Sequence, residues 1–356
     1  MAPGSAQRRR AVAFILDNGK GDSVHHVRLP RAAGVALAAC FLVPAAAGAQ
    51  EGPPPPPTAA NGAAVRTLAQ GLPNPTQFAF YRRNLFVGAF GDESGTPRGG
   101  VFRVRKGKAV RLKGSPGAVA GVAWRRGKLY VSSNQRIVVM SRWNGRRFRR
   151  SRTLYRGPEG FNGFSGLAFG PDRRLYAGVQ LNGDTDERPD TSPFARSVVS
   201  LKPNGKDIRV VATGVRQPWQ LTFVSGNPNP FVSVLADERE PVAPDWIVNP
   251  KPGDDYGYPT CTWLERQPCR GFDKPIALLA NHASPMGIGA IGRTLYVALF
   301  GGLGQGPVVV SMNTAGKQIE PFLSGYVAPV LAVGTRRGFV YTGDVTGAIY
   351  RVSAAG

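Results

Sequence analysis

His282 is the last of the chain's three histidines and stands far beyond the other two, His25 and His26. A neutral imidazole is the side chain best suited to take a proton from a hydroxyl near neutral pH, so a histidine general base has this one candidate. A lone histidine in a structural role is the other reading. Arg216 and Gln217, in the run GVRQPWQLTF, bring donors for an anionic or acceptor-rich ligand, and Arg239 adds a second guanidinium. Such arginines either form charge-assisted hydrogen bonds to a ligand or pair with nearby carboxylates. The loop NGDTDERPD offers Asp184, Asp186 and Asp190 as hard oxygen ligands for calcium, although it lacks the glycine and terminal glutamate of an EF-hand and also reads as an acidic surface loop. Asn162 opens the stretch NGFSGLAFGPDRRLYAGV and faces either a ligand or its own loop. The chain carries no serine-nucleophile elbow, phosphate-binding glycine loop or HExxH motif.

These residues sit at the entrances of a repeated element. Six times an apolar strand, a tight polar turn and a second strand recur: PTQFAFYRRNLFVGAF, AVAGVAWRRGKLYVSS, FSGLAFGPDRRLYAGV, PWQLTFVSGNPNPFVSVL, PMGIGAIGRTLYVALF and PVLAVGTRRGFVYTGD. Each reads as a hairpin. A third strand follows every copy and a fourth follows all but the last, while an extra fourth-type strand, AVRTLAQG, precedes the first copy. Circular closure explains both facts, because the first strand of the domain then completes the last blade and hides two sheet edges. The fold expected is all-β: a six-bladed propeller of four-stranded antiparallel blades over residues 64–356.

Strand parity then distributes charge. In such blades the turns after strands one and three share one end, while the long loops and blade connections share the other. The first set carries Arg82-Arg83, Arg125-Arg126, Arg173-Arg174, Arg293 and Arg336-Arg337, joined by Lys106, Lys206 and Lys317. The second carries most acids, among them Asp92, Asp184, Asp237, Glu240 and Asp245. A net charge of +23 thus resolves into a basic underside and an acidic mouth. The basic side is either a solvated face or an adhesion surface for an acidic wall polymer or membrane surface. No aromatic-interleaved basic groove or nucleic-acid motif is visible, so nucleic acid is not the expected partner.

Upstream, Arg28 and Arg31, the apolar run 32–46 and Ala47-Gly48-Ala49 match a signal peptide, cleaved after Ala49, and place the protein outside the cytoplasm. Residues 1–26 precede the natural start of that leader, and Leu37-Ala38-Ala39-Cys40 offers a lipobox as an alternative anchor. Residues 50–63, with prolines 53–57, read as a stiff spacer outside any core. Cys261 and Cys269 remain as a pair suited to a disulfide in an oxidising compartment. One mature histidine and two cysteines make zinc an unsuitable ligand set.

The run GVRQPWQLTF, followed by ADEREPVAPDWIVNPKPGDDYGYPTC, resembles the glucose/sorbosone dehydrogenases, and NHASPMGIGAIGRTLYVALF is similar to the next blade of the sorbosone-type branch. The resemblance covers residues 64–356 and implies a propeller that oxidises sugar hydroxyls with pyrroloquinoline quinone and calcium. It assigns Arg216 to quinone contact, puts Gln217 in place of an asparagine, sets Asp245 beside the site and makes Pro241 a backbone calcium ligand. The family's general-base histidine falls at Asn162, whose amide takes no proton near neutral pH. Its later lysine and arginines have no counterparts around Gly301 and 327–329. Two readings follow: a secreted quinone-dependent sugar or alcohol dehydrogenase using His282, or an inactive propeller that binds carbohydrate or an acidic envelope polymer.

Overall fold

Short Val-, Leu- and Ala-rich strands separated by Arg-Gly, Lys-Gly and Asn-Gly turns can only bury their two apolar faces by stacking sheet against sheet. The computed structural model, which describes residues 55–92, 98–181, 191–236, 242–264 and 269–355, contains six antiparallel blades. Their inner strands are Pro75–Tyr81, Val119–Arg125, Phe164–Phe169, Gln217–Thr222, Pro285–Ile291 and Val330–Arg336, numbered here as blades one to six. Each inner strand contacts the next, and the sixth contacts the first, so the ring is closed.

Closure is made by the strand the repeat pattern assigns to it. Arg66–Ala69 pairs antiparallel with Ile349–Ser353, with Arg66 opposite Arg351 and Thr67 opposite Tyr350, and so forms the outer strand of blade six. One apolar cluster fills each interface between neighbouring blades. The sheets approach closely where glycine permits: a Cβ on Gly287 in blade five would lie 2.1 Å from the backbone nitrogen of Val333 in blade six.

Two short strands fall outside the six-by-four pattern. Asp254–Asp255 runs parallel to the outer strand of blade three, Arg209–Thr213. Thr58–Ala59 pairs with the outer strand of blade five, Thr58 opposite Ser324 and Ala59 opposite Leu323, and Ala59 is buried among Leu323 and Tyr326. The stretch expected to stay outside the core therefore enters it. The prolines keep the chain out of helix, and the outer edge of blade five offers unpaired backbone groups for an extended segment to satisfy.

The six inner strands share a departure from regular pairing, a bulge at the end where each begins, as between Pro75 and Gln77, Pro218 and Leu221, and Pro285 and Ile288. A bulge adds a residue and re-aims the side chains beside it. Here it sends polar groups across the axis. Gln77 Oε1 accepts from the backbone N–H of Val122 (2.8 Å) and of Leu167 (2.9 Å), and its Nε2 donates to Leu167 O (3.0 Å), so one carboxamide ties blade one to blades two and three. Gln220 of blade four donates to Thr76 O of blade one. Hydroxyls stitch adjacent blades: Thr76 to Val119 O (2.8 Å), Ser165 to Pro218 O (2.6 Å) and Ser233 to Met286 O (2.6 Å).

Replacing Gln77 by Leu keeps the volume but leaves two buried amide donors unpaired, each worth about 1–3 kcal/mol. The expected result is a loss of roughly 2–5 kcal/mol, read by urea titration. A loss below about 1 kcal/mol would show that the axis is not held by this side chain.

Candidate active site at the mouth

The inner strands begin at the end of the propeller opposite the tight arginine turns, and the predicted site residues gather there around blades three, four and five. Asn162 donates from Nδ2 to Gln180 O (3.1 Å), and its backbone N–H donates to Ser192 Oγ (2.9 Å). The next backbone N–H, that of Leu181, donates to Gln217 Oε1 (2.6 Å). Arg216 donates from Nη1 to Ala236 O. The N–H of Ala236 donates to Asp245 Oδ1 (2.7 Å), and Asp245 Oδ2 accepts from the N–H of Ser284 (2.7 Å), two residues beyond His282. Asn162, Gln217, Arg216, Asp245 and His282 thus lie along one continuous belt of bonds.

That belt changes the reading of several residues. Asp245 is fully buried and holds one amide on each of two blades, so it is no part of an acidic surface; two backbone donors offset the desolvation of its charge. Arg216 and Gln217 are 1% and 0% exposed. Asn162 answers a backbone carbonyl, which favours the loop-satisfying role over a ligand-facing one. His282 is half-buried in a left-handed turn, with φ of 53°, followed by Ser284 at 49°. Arg239, Pro241, Asp184, Asp186 and Asp190 lie outside the described residues.

The structure adds two groups that sequence reasoning missed. Arg196 places its guanidinium 5.4 Å from the ring centroid of Tyr258, and its carbonyl accepts from the N–H of Val215 (3.0 Å), which sets it beside Arg216. The turn carrying Tyr258 docks on Gly214, where a Cβ would meet Gly257 N at 2.2 Å. Tyr256 and Tyr258 then donate their amides to Thr213 O (3.0 Å) and Gly214 O (3.1 Å). Cys261 and Cys269 are bridged just beyond this turn, as the sequence led one to expect. The adjacency of Arg196 and Arg216 rests on the Val215–Arg196 backbone bond, between residues nineteen apart in the chain, and leaves no local signal.

The second group is Asp344 on blade six, where strand two reaches the mouth. Its Oδ1 accepts from the N–H of Thr346 (3.0 Å), the hydroxyl of Thr346 (2.5 Å) and the N–H of Ala348 (3.2 Å). Burial raises its pKa against these bonds, and burial with the nearby Asp344 pushes the Tyr350 phenol up to about 12. Tyr326, also buried, donates to Thr342 Oγ1 (2.9 Å) beside them. The motif GDVTGA signals the turn; the burial of its carboxyl was not legible.

No family model and no curated protein sequence matches the chain. Solved structures do. The quinone-bound form of an aldose sugar dehydrogenase from Streptomyces coelicolor matches with a TM-score of 0.65 at 22% identity, over 83% of this chain and 99% of that one. The chain has the fold of that propeller. An oxidoreductase from Thermus thermophilus, described as a glucose dehydrogenase, matches at 0.65 and 18% identity, over 82% and 100% of the two chains. The calcium structure of a Trichoderma reesei family AA12 carbohydrate-active enzyme matches at 0.64 and 15%, over 84% and 97%. These identities establish a shared fold and leave the chemistry to be argued from the residues.

Two stability measurements test these two arrangements. In Asp245→Asn one of the two backbone donors meets an NH₂ group in place of a carboxylate oxygen, and the expected loss is about 2–3 kcal/mol; an unchanged midpoint of chemical unfolding would remove Asp245 from this role. For Asp344 the folded carboxyl binds its proton at higher pH than the unfolded one, so wild-type stability falls as pH rises through that window. Asp344→Asn should therefore gain relative to wild type as pH rises above the ordinary carboxylate range, about pH 4; a constant difference between the two would contradict it.

Proposed function

We propose that the protein is a secreted, quinone-dependent sugar or alcohol dehydrogenase, using the mouth of the propeller to oxidise a sugar hydroxyl or hemiacetal. The observation that carries this reading is a pair of buried donors at the mouth of this fold: Gln217 Nε2 and Arg196 Nε have no hydrogen-bond partner among the described residues. Buried donors without acceptors are costly, and an acceptor-rich, anionic ligand relieves that cost. Pyrroloquinoline quinone is such a ligand, and the donor set fits it. Arg216, Gln217 and Arg196 would hold it, with Arg239 as a further cation.

Among the described residues no group of three or more His, Cys, Asp or Glu is placed to hold a metal. The calcium ligands proposed are accordingly the Pro241 carbonyl and the carboxylates of Asp184, Asp186 and Asp190. When bound, the quinone supplies the two-electron oxidant. The chain's own part is to orient the sugar at the mouth and to take its hydroxyl proton on the imidazole of His282. Asp245 acts through Ser284 to fix the turn that presents that imidazole. Export is supported by the Cys261–Cys269 bridge, which suits an oxidising compartment.

A second reading, a propeller that binds carbohydrate without turning it over, is favoured by Asn162, whose amide is committed to Gln180 O. The two separate in one experiment. Purified protein is titrated with pyrroloquinoline quinone and calcium and then assayed for dye reduction over a panel of aldoses and polyols. Quinone binding with turnover is expected, and His282→Ala should lower kcat by about 10²-fold or more while leaving quinone affinity unchanged. Absence of quinone binding would defeat the dehydrogenase reading. Binding of a sugar without turnover would establish the second.

A further inference from the structure

The end opposite the mouth carries a construction that the proposed oxidation does not use. The turns after strands one and three of blade one come together with the turn after strand one of blade six around a concave cleft of about 570 Å³. Arg82, Arg83, Lys106, Arg336, Arg337 and Arg351 line it, and no carboxylate does. A second cleft of about 570 Å³, lined by Arg125, Arg126, Lys128, Arg173, Arg174 and Lys202 together with one acid, Asp172, opens between blades two and three. Between them, on the axis, all six inner strands enclose a recess of about 360 Å³. Phe80 borders both the first cleft and the recess, and Arg125 of the second cleft lies 4.9 Å from the ring centroid of Phe169, which lines the recess. The underside is thus a track from cleft to axis to cleft.

Two features argue that this charge is built. Among the described residues, the ion pairs found all converge on Asp207, held by Arg174 and Arg209 (2.9 Å each) and Lys202 (3.4 Å), on the side of blade three. The cleft of blades six and one keeps its cations unneutralised by any lining acid. Second, Lys106, Arg126 and Arg337 occupy left-handed backbone at φ of 49°, 44° and 49°, each ahead of a glycine at 76–77°. Asn, Asp or Gly favours the first position of such a turn, and a long side chain is disfavoured there. The same unfavourable choice in the turn after strand one of blades two and six and in the turn after strand three of blade one points to a use for the charge.

We infer that the underside docks a flexible phosphodiester chain of the cell envelope, a polymer of polyol phosphate. Guanidinium forks match phosphate oxygens in pairs. Narrow clefts joined through a recess suit a thin chain better than a flat bilayer. The sequence shows no aromatic-interleaved groove, yet rings do underlie the cations: Arg336 lies 5.5 Å from the Phe80 centroid and Arg351 lies 4.8 Å from that of Phe339. Rings already covered by guanidinium are poor platforms for stacking bases, which disfavours single-stranded nucleic acid.

The test uses the full mature protein and fluorescently labelled poly(glycerol phosphate), followed by anisotropy at about 150 mM salt and over a salt series. Binding is expected, weakening as salt rises. The triple variant Arg82→Asn, Lys106→Asn, Arg337→Asn should raise Kd about tenfold or more while its melting temperature holds or rises, because asparagine suits those turns. Removing equal charge from the exposed outer strand of blade two, with Arg149→Ser, Arg150→Ser and Arg152→Ser, should change Kd by less than about twofold. Equal weakening by both triples would reduce the effect to net charge and overturn the inference. So would absence of binding, or tighter binding of oligo(dT) or of phosphatidylglycerol vesicles at the same salt. The mouth is untouched by these variants, so quinone binding and dye reduction report separately on the proposed oxidation.

Discussion

Six twisted sheets set round an axis leave a hole where their inner strands meet, and backbone groups facing that hole need partners. In this chain the partners are carboxamides. Gln77 spans from blade one to blade three while also holding blade two, and Gln220 reaches from blade four back to blade one. Glutamine has the reach and carries both a donor pair and an acceptor, which neither a hydroxyl nor a carboxylate offers. The bonds cross the ring instead of following it, so they fix the spacing of non-adjacent blades. They also close the axis at mid-height, with Gln77 bounding the recess of the underside. The mouth and the underside are therefore separate chemical compartments.

The same solution recurs at the mouth with a charged group. Asp245 sits between the second strand of blade four and the entrance of blade five, and its two oxygens each take one amide. A carboxylate in such a place is there for geometry. It sets the turn that carries His282, just as the bond from the Val215 N–H to the Arg196 carbonyl sets Arg196 beside Arg216. The candidate site is thus made of donors positioned by backbone anchors, and its tolerance of substitution is governed by those anchors as much as by the groups that would meet a ligand.

The repeat, the blade count and the closing strand were legible because they rest on periodicity: apolar alternation fixes strands, turn residues fix hairpins, and an unpaired first and last strand imply a ring. Parity likewise placed Arg82, Lys106 and Arg337 on one face. What was not legible depends on register. The bulge at the head of each inner strand is silent in the sequence, yet it decides that Gln77 crosses the axis. Asp245 read as one more acid of the mouth because its alternation position does not reveal two backbone donors from different blades. Thr58 and Ala59 read as spacer because pairing to a distant edge leaves no local pattern. The rings beneath the basic turns were hidden for a related reason: Phe80 and Arg336 belong to different blades and meet only when the ring is closed.

That closure has a consequence in time. Arg66–Ala69 is the first propeller strand to be synthesised apart from the short Thr58–Ala59, and its partner Ile349–Ser353 is the last propeller strand. Five blades can assemble from neighbouring segments as they emerge, but blade six has to wait for both ends of the chain. A nascent molecule therefore carries an orphan strand in front and an open edge behind, the arrangement from which two copies exchange strands. The closing segment is four residues long and begins with an arginine, Arg66, at its outer end. So brief and charged a strand gains little from a wrong partner until the whole ring is present to receive it.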